Sequence, residues 1–123
     1  MSAETTLQAV LQADAGLTAL VDTRIAENTA PGTWSTPFLL YAGKHETQLT
    51  LLGEDGERVT FDLIAWSATV AEAEAVSEAA KAALRAYNQA QTDIDVTILA
   101  EEPVSHEETG LQGRKLTVDW WPD

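Results

Sequence analysis

Apolar residues recur at helical spacing at the start of the chain. Leu7, Val10 and Leu11 fall on one stripe and Leu17, Leu20 and Val21 on another, which predicts two short helices within Thr6 to Val21. Asp14 stands between them, where its carboxylate can cap the free backbone N–H groups of the second. Arg24-Ile25-Ala26 reads as a short edge strand, and the Asn-Thr-Ala-Pro-Gly-Thr-Trp-Ser-Thr run from Asn28 to Thr36 as a loop.

Pro37 opens Phe38-Leu39-Leu40-Tyr41-Ala42, apolar on both faces, as in strands covered on two sides. The strand continues more polar through Gln48 and Thr50 to Leu52. Gly53-Glu54-Asp55-Gly56 then supplies a tight reversal, and Val59, Phe61, Leu63 and Ala65 alternate with Arg58, Thr60 and Asp62 as far as Trp66. This pattern predicts a β-hairpin with a protruding acidic tip. Val70 to about Tyr87 has the clearest helical period. Thr69 and Glu72 can form a capping box, each satisfying the other's N–H, and Val70, Ala73, Val76, Ala80, Ala83, Leu84 and Tyr87 share a face. Ile94, Val96 and Ile98, and after a loop around Gly110 also Leu116, Val118 and Trp120, give two closing strands. The order predicts an α+β domain spanning residues 1–123. Its single sheet is mostly antiparallel, or mixed, and packs against one long helix, with short helices at the N-terminus.

Composition narrows the function. A hydrophobic content of 45% rules out a disordered chain, and 123 residues suffice for one core. Cysteine is absent, which removes disulfides, thiolate metal sites and cysteine nucleophiles, and makes an intracellular site of folding the simpler expectation. Met1-Ser2-Ala3-Glu4 has no basic region leading into an apolar run, and Phe38 to Ala42 is too short to span a bilayer, so neither a secretory signal nor membrane insertion is expected. The formal net charge is −13, which repels nucleic acid and anionic membranes and favours solubility.

Catalytic chemistry finds little support. His45 lies beside Glu46, and His106 beside Glu107 and Glu108, but neither has a second ligand at metal-site spacing, and both are expected to be surface histidines. The pairs Glu101-Glu102 and Glu107-Glu108 would point to opposite faces of a strand rather than converge, so they read as solvated surface. No serine elbow, phosphate-cradling glycine loop or calcium loop is present. The expectation is no catalytic residue, no cofactor and no metal.

The tryptophans point instead to protein contact. Trp66 and Trp120 are expected in the core. Trp34 lies in the loop without periodic apolar companions and either folds back as a lid or reaches a partner. Trp121 follows Trp120 on a strand, so it faces away from its neighbour and is an interface candidate.

These features together resemble a known family. The opening Leu-Gln-Ala-Asp-Ala-Gly-Leu-Thr-Ala-Leu-Val-Asp-Thr-Arg-Ile is followed by the proline-containing loop and the strand from Pro37-Phe38. Then come the strand ending at Leu63-Ile64-Ala65-Trp66-Ser67, an alanine- and glutamate-rich helix and two closing strands. From Leu7 to Trp121 this is similar to the tail-terminator, or tail-completion, proteins of long-tailed bacteriophages and prophages. The resemblance implies a virion protein, assembled in the host cytoplasm, that closes into a ring, most simply of six copies, on the head-proximal end of the tail tube. It implies contacts with the tail tube protein and with head completion or connector proteins, and DNA passing through the lumen without specific binding. A charge of −13 per copy multiplies sixfold to about −78 per ring, which suits such a lumen. Interface candidates are Arg24, Trp34, Gly53, Glu54, Asp55, Gly56, Arg58 and Trp121. Three competing readings are a neighbouring head–tail joining protein of similar build, a dimeric α+β interaction module, and a small acid–base enzyme using His45 or His106.

Overall fold

The computed structural model describes residues 3–49, 55–91 and 94–122, with only the backbone described at 47–49, 55–57, 94 and 122. Two N-terminal helices, α1 (Ala3–Ala13) and α2 (Ala15–Val21), bury Leu7, Leu11, Leu17 and Val21 completely. Asp14 separates them as expected: its carboxylate accepts the Leu17 N–H at 2.9 Å, fixing the start of α2.

Strand β1 (Ile25–Glu27) runs parallel to β2 (Phe38–Leu49), and β2 pairs antiparallel with β3 (Asp55–Ser67). After the helix α3 (Val70–Ala90), β4 (Ile94–His106) and β5 (Leu111–Pro122) complete a mixed five-stranded sheet of order β1-β2-β3-β5-β4. The α+β class, the one long helix and the short N-terminal helices agree with the sequence reading. Gly110, in the β4–β5 turn, has φ +72°, a conformation that favours glycine. The expected hairpin forms with Leu49 opposite Asp55. Its predicted continuation through Thr50 to Leu52, and the tip residues Gly53 and Glu54, lie outside the described residues.

One face of the sheet carries the core. Leu39, Tyr41, Val59, Phe61, Leu63, Ala65, Leu116, Val118 and Trp120 pack there against the helices. Trp120 has Phe61 edge-on at 5.8 Å and Tyr87 stacked at 5.5 Å. The alanine stripe of α3 is buried through Ala73, Ala80 and Ala83, as small residues allow a helix to settle close to a sheet. Val70 departs from that stripe. It is 52% exposed because it stands at the first turn, where α3 leaves the sheet end.

Several local expectations change once strands pair. Only half of the predicted capping box forms: Thr69 Oγ1 accepts the Glu72 N–H at 3.2 Å, but the Glu72 carboxylate takes the hydroxyl of Ser67. Ser67 Oγ in turn accepts the Thr69 N–H at 3.3 Å, so a buried serine is inserted into the cap. Strand β4 runs well past Ile98, and a bulge between Ile98 and Ala100 leaves Leu99 as the extra residue, 51% exposed. Beyond it the parity reverses, and Glu101 turns towards α3 while Glu102 faces the other way. The two carboxylates diverge as expected, but Glu101 is no solvated side chain. It accepts from Ser77 Oγ at 2.6 Å and Lys81 Nζ at 3.0 Å, with Arg114 at 3.4 Å.

Candidate functional site

The second sheet face is not covered by a helix or another sheet among the described residues, although β2 is apolar on that side too. Strand parity explains what gathers there. Phe38 is opposite Trp66, and Leu40 opposite Ile64. Trp66 in turn faces Gly113 and, across β5, Val104. Trp66 is therefore not a core residue beside Trp120, as expected from sequence; it lies half-buried on the opposite face, two residues in register from Ile64. Its indole lies across the backbone of Gly113. A Cβ at that glycine would stand 2.8 Å from Val104 Cγ2 and 2.9 Å from Trp66 Cε3, so only glycine leaves room for the ring.

Two adjoining grooves flank this indole. One, about 320 Å³, runs from Asn28 and Thr29 over Phe38 and Trp66 to His106 and Leu111. The other, about 350 Å³, passes Leu40, Asp62, Ile64 and Lys115. Walls of amide and hydroxyl side chains around an apolar floor, with Asp62 and Lys115 3.9 Å apart, make this nearly neutral ground in a chain of charge −13. Towards the hairpin end the same face becomes charged and self-paired. Arg58 Nε donates to Asp119 at 2.5 Å, Lys115 reaches Glu102 at 3.8 Å, and Lys44 stands 3.9 Å from Glu46.

The sequence-derived interface candidates are not brought together at one point. Trp34 folds back to within 6.3 Å of the Phe38 ring at one end of the open face, half-buried. Trp121 stands on that face opposite Asp95, directed away from buried Trp120. Arg24 lies beside β1 and donates through Nε to Pro37 O at 2.9 Å. Arg58 is held by Asp119, which keeps its guanidinium protonated beyond the ordinary range. Asp55 and Gly56 start β3 opposite Leu49 and Gln48. The contributions missed from sequence are Trp66, Leu40, Ile64, Val104 and Gly113. Counting by twos from Asp62 through Ile64 to Trp66 would have placed the tryptophan outside the core.

The histidines are half-engaged surface groups. His45 Nε2 meets Glu4 Oε2 at 2.6 Å, tying β2 to α1, and His106 Nδ1 meets Thr109 Oγ1 at 3.0 Å. That first contact holds the Glu4 carboxyl below the usual carboxylate range. Among the described residues no group of three or more histidine and carboxylate side chains could hold a metal, and no helix is long and apolar enough to cross a membrane.

Residues 5–123 match the family model described as "Tail completion protein gp17". The chain belongs to this family. It is thus a phage tail completion protein with a structural role in the virion. Among solved structures, a chain of the "Virion of native gene transfer agent (GTA) particle" superposes with a TM-score of 0.77 at 19% identity, over 94% of this chain and 90% of that one. At that identity the likeness shows the fold. No curated protein matches.

Proposed function

We propose that this tail completion protein closes into a ring on the head-proximal end of the tail tube, stops addition of tube subunits, and presents the surface to which the head joins. The observation that carries the reading is the uncovered sheet face. A tryptophan-centred, nearly neutral groove faces outward on a chain whose family completes tails, and exposed aromatic ground of this kind supplies much of the energy of protein contacts. Trp34 and Trp121 border that face, and the sequence-derived candidates Gly53, Glu54, Asp55 and Gly56, with Arg24 and Arg58, extend the proposed contact set towards the tube protein and the head completion proteins. Ring contacts between identical chains are heterologous, one patch meeting a different one. Copies at −13 each give the lumen an acidic wall past which DNA slides without binding.

Electron microscopy of particles made without this protein tests the reading. Overlong tails, or tails unattached to filled heads, are expected. Tails of ordinary length joined to heads would defeat it.

A further inference from the structure

We propose, building on the ring reading above, that each copy inserts Arg85 into an acidic cleft on the opposite sheet edge of the next copy. The cleft, about 730 Å³, lies between α1 and the β1–β2 edge and is lined by Glu4, Gln8, Glu27 and Tyr41 with His45 at its margin. Its acceptors are unsatisfied. Glu4 gives one oxygen to His45, whereas Oε1, shielded from water, has no hydrogen-bond partner. Tyr41 is only 5% exposed, lines the cleft, and makes no hydrogen bond through its hydroxyl among the described residues. Burial first, then the Glu27 and Glu4 carboxylates, push the phenol pKa up. A phenol oxygen without a partner among the described residues and the exposed Glu27 carboxylate on one cleft call for a multi-donor cation, and guanidinium offers five N–H groups in a planar fork.

The chain itself provides the cation. Lys44, Arg58, Lys81, Arg114 and Lys115 each have an acidic partner within their own chain. Arg24 donates to Pro37 O and sits on the same edge as the cleft. Arg85 is exposed and has no carboxylate at ion-pair distance among the described residues. It stands on α3 beside Asn88 and Ile98, at the β4 edge. Arg85 lines a separate groove with Asn88, Asp95 and Ile98, and no α3 residue lines the cleft between α1 and the β1–β2 edge. A patch at one edge that complements a patch at the other is the head-to-tail arrangement a ring needs.

Part of the backbone at these edges is already engaged, which disfavours strand addition. Ile25 N–H donates to Thr23 O at 2.8 Å, Ile25 O accepts from Gln8 Nε2 at 2.8 Å, and Glu27 O accepts the Thr29 N–H at 2.8 Å. At the other edge Asn88 Oδ1 takes the Val96 N–H at 2.9 Å, and a bulge and Pro103 interrupt β4. Contact between edges through side chains is then the favoured mode.

The native chain has no cysteine, so the test is clean. The full chain carrying both Glu27→Cys and Arg85→Cys is expressed with the other tail components, and assembled particles are treated with a short bis-maleimide. A ladder of covalent multimers of this chain is expected, with at most dimers from either single variant. Separately, Arg85→Glu or Glu27→Arg is expected to lower the yield of head-joined particles about tenfold. An equimolar mixture of the two is expected to recover it, because native and reversed pairs then alternate. A ring visible by microscopy with no ladder and no recovery overturns the Arg85 assignment and leaves the ring standing. A ladder without any change in tail length on deletion keeps the contact and removes the terminator reading. Coupling of the Glu27→Cys chain to a chain of another mass puts a different protein in the cleft and overturns the proposal.

Discussion

The carboxylate of Glu101 on β4 accepts a 2.6 Å hydrogen bond from the hydroxyl of Ser77 on α3. This bond joins the helix to the sheet strand farthest from the hairpin. It is possible only because the bulge at Leu99 turns Glu101 inward, and because α3 places a small polar residue, 1% exposed, where an alanine would otherwise continue its stripe. The Ser77 bond first, aided by Lys81 and Arg114, brings the Glu101 carboxyl down to about 2. The native state therefore holds this group ionised more readily than the unfolded chain does.

The sign of the pH dependence follows. The stabilisation from Glu101 is complete above the ordinary carboxyl pKa and is lost as pH falls from there through about 2. Glu101→Gln should cost about 1–3 kcal/mol at neutral pH, by weakening a charge-assisted contact and leaving Lys81 and Arg114 short of an acceptor. Urea unfolding of both proteins over a pH series would show the deficit narrowing in acid. A deficit independent of pH would mean that packing alone is responsible.

Gly113 sets the position of Trp66. An added methyl at 2.8–2.9 Å from Val104 and the indole forces the ring off the sheet, so Gly113→Ala should destabilise by about 1–3 kcal/mol and change the tryptophan fluorescence. Trp66→Leu removes the opposing ring edge. The alanine should then cost less in the double variant than in the single one, and equal costs in both backgrounds would detach Gly113 from Trp66.

The helix cap offers a narrower test. Thr69→Ala removes the acceptor of the Glu72 N–H and should cost about 1 kcal/mol. Ser67→Ala strips both the Thr69 N–H and the Glu72 carboxylate of a partner, so it should cost at least as much, although Ser67 stands two residues before the N-cap and outside the usual capping box. Chemical denaturation of the two variants compares them directly. A neutral Ser67→Ala would show that water replaces the hydroxyl.

What could be read along the chain and what could not divides by distance in sequence. The Asp14 cap, the two opening helices, the existence of the hairpin and the alanine face of α3 each depend on residues a few positions apart, and their periods survive folding. Asp55 and Gly56, by contrast, expected in the hairpin tip, already belong to β3 opposite Leu49 and Gln48. Parity with Asp62 and Ile64 puts Trp66 off the core, but its seat over Gly113 depends on pairing with β5 more than forty positions later. The bulge at Leu99 reverses parity, so Glu101-Glu102 looked like solvated surface when one member is a structural acceptor. The acidic cleft joins α1, β1 and β2 through Glu4, Glu27 and Tyr41, and no spacing in the sequence announces that meeting. Arg24 and Arg58 stood out as scarce bases, but both are engaged within the chain, and the base left exposed, Arg85, lay unremarked on a helix.

Adjacent Trp120 and Trp121 separate folding from assembly. Trp120 is 3% exposed and sits between the rings of Phe61 and Tyr87, so Trp120→Ala should cost about 3–5 kcal/mol and leave much of the chain unfolded at physiological temperature. Trp121 is half-buried on the open face opposite Asp95. Its truncation removes less buried area and should cost about 1 kcal/mol or less, measured by urea unfolding of the isolated chain. If Trp121 meets a partner, Trp121→Ala should nevertheless lower the number of tails joined to heads, counted by microscopy, at a protein level equal to that of the native chain. A normal count at equal level would remove Trp121 from the contact surface, and a large stability loss would move it into the core beside its neighbour.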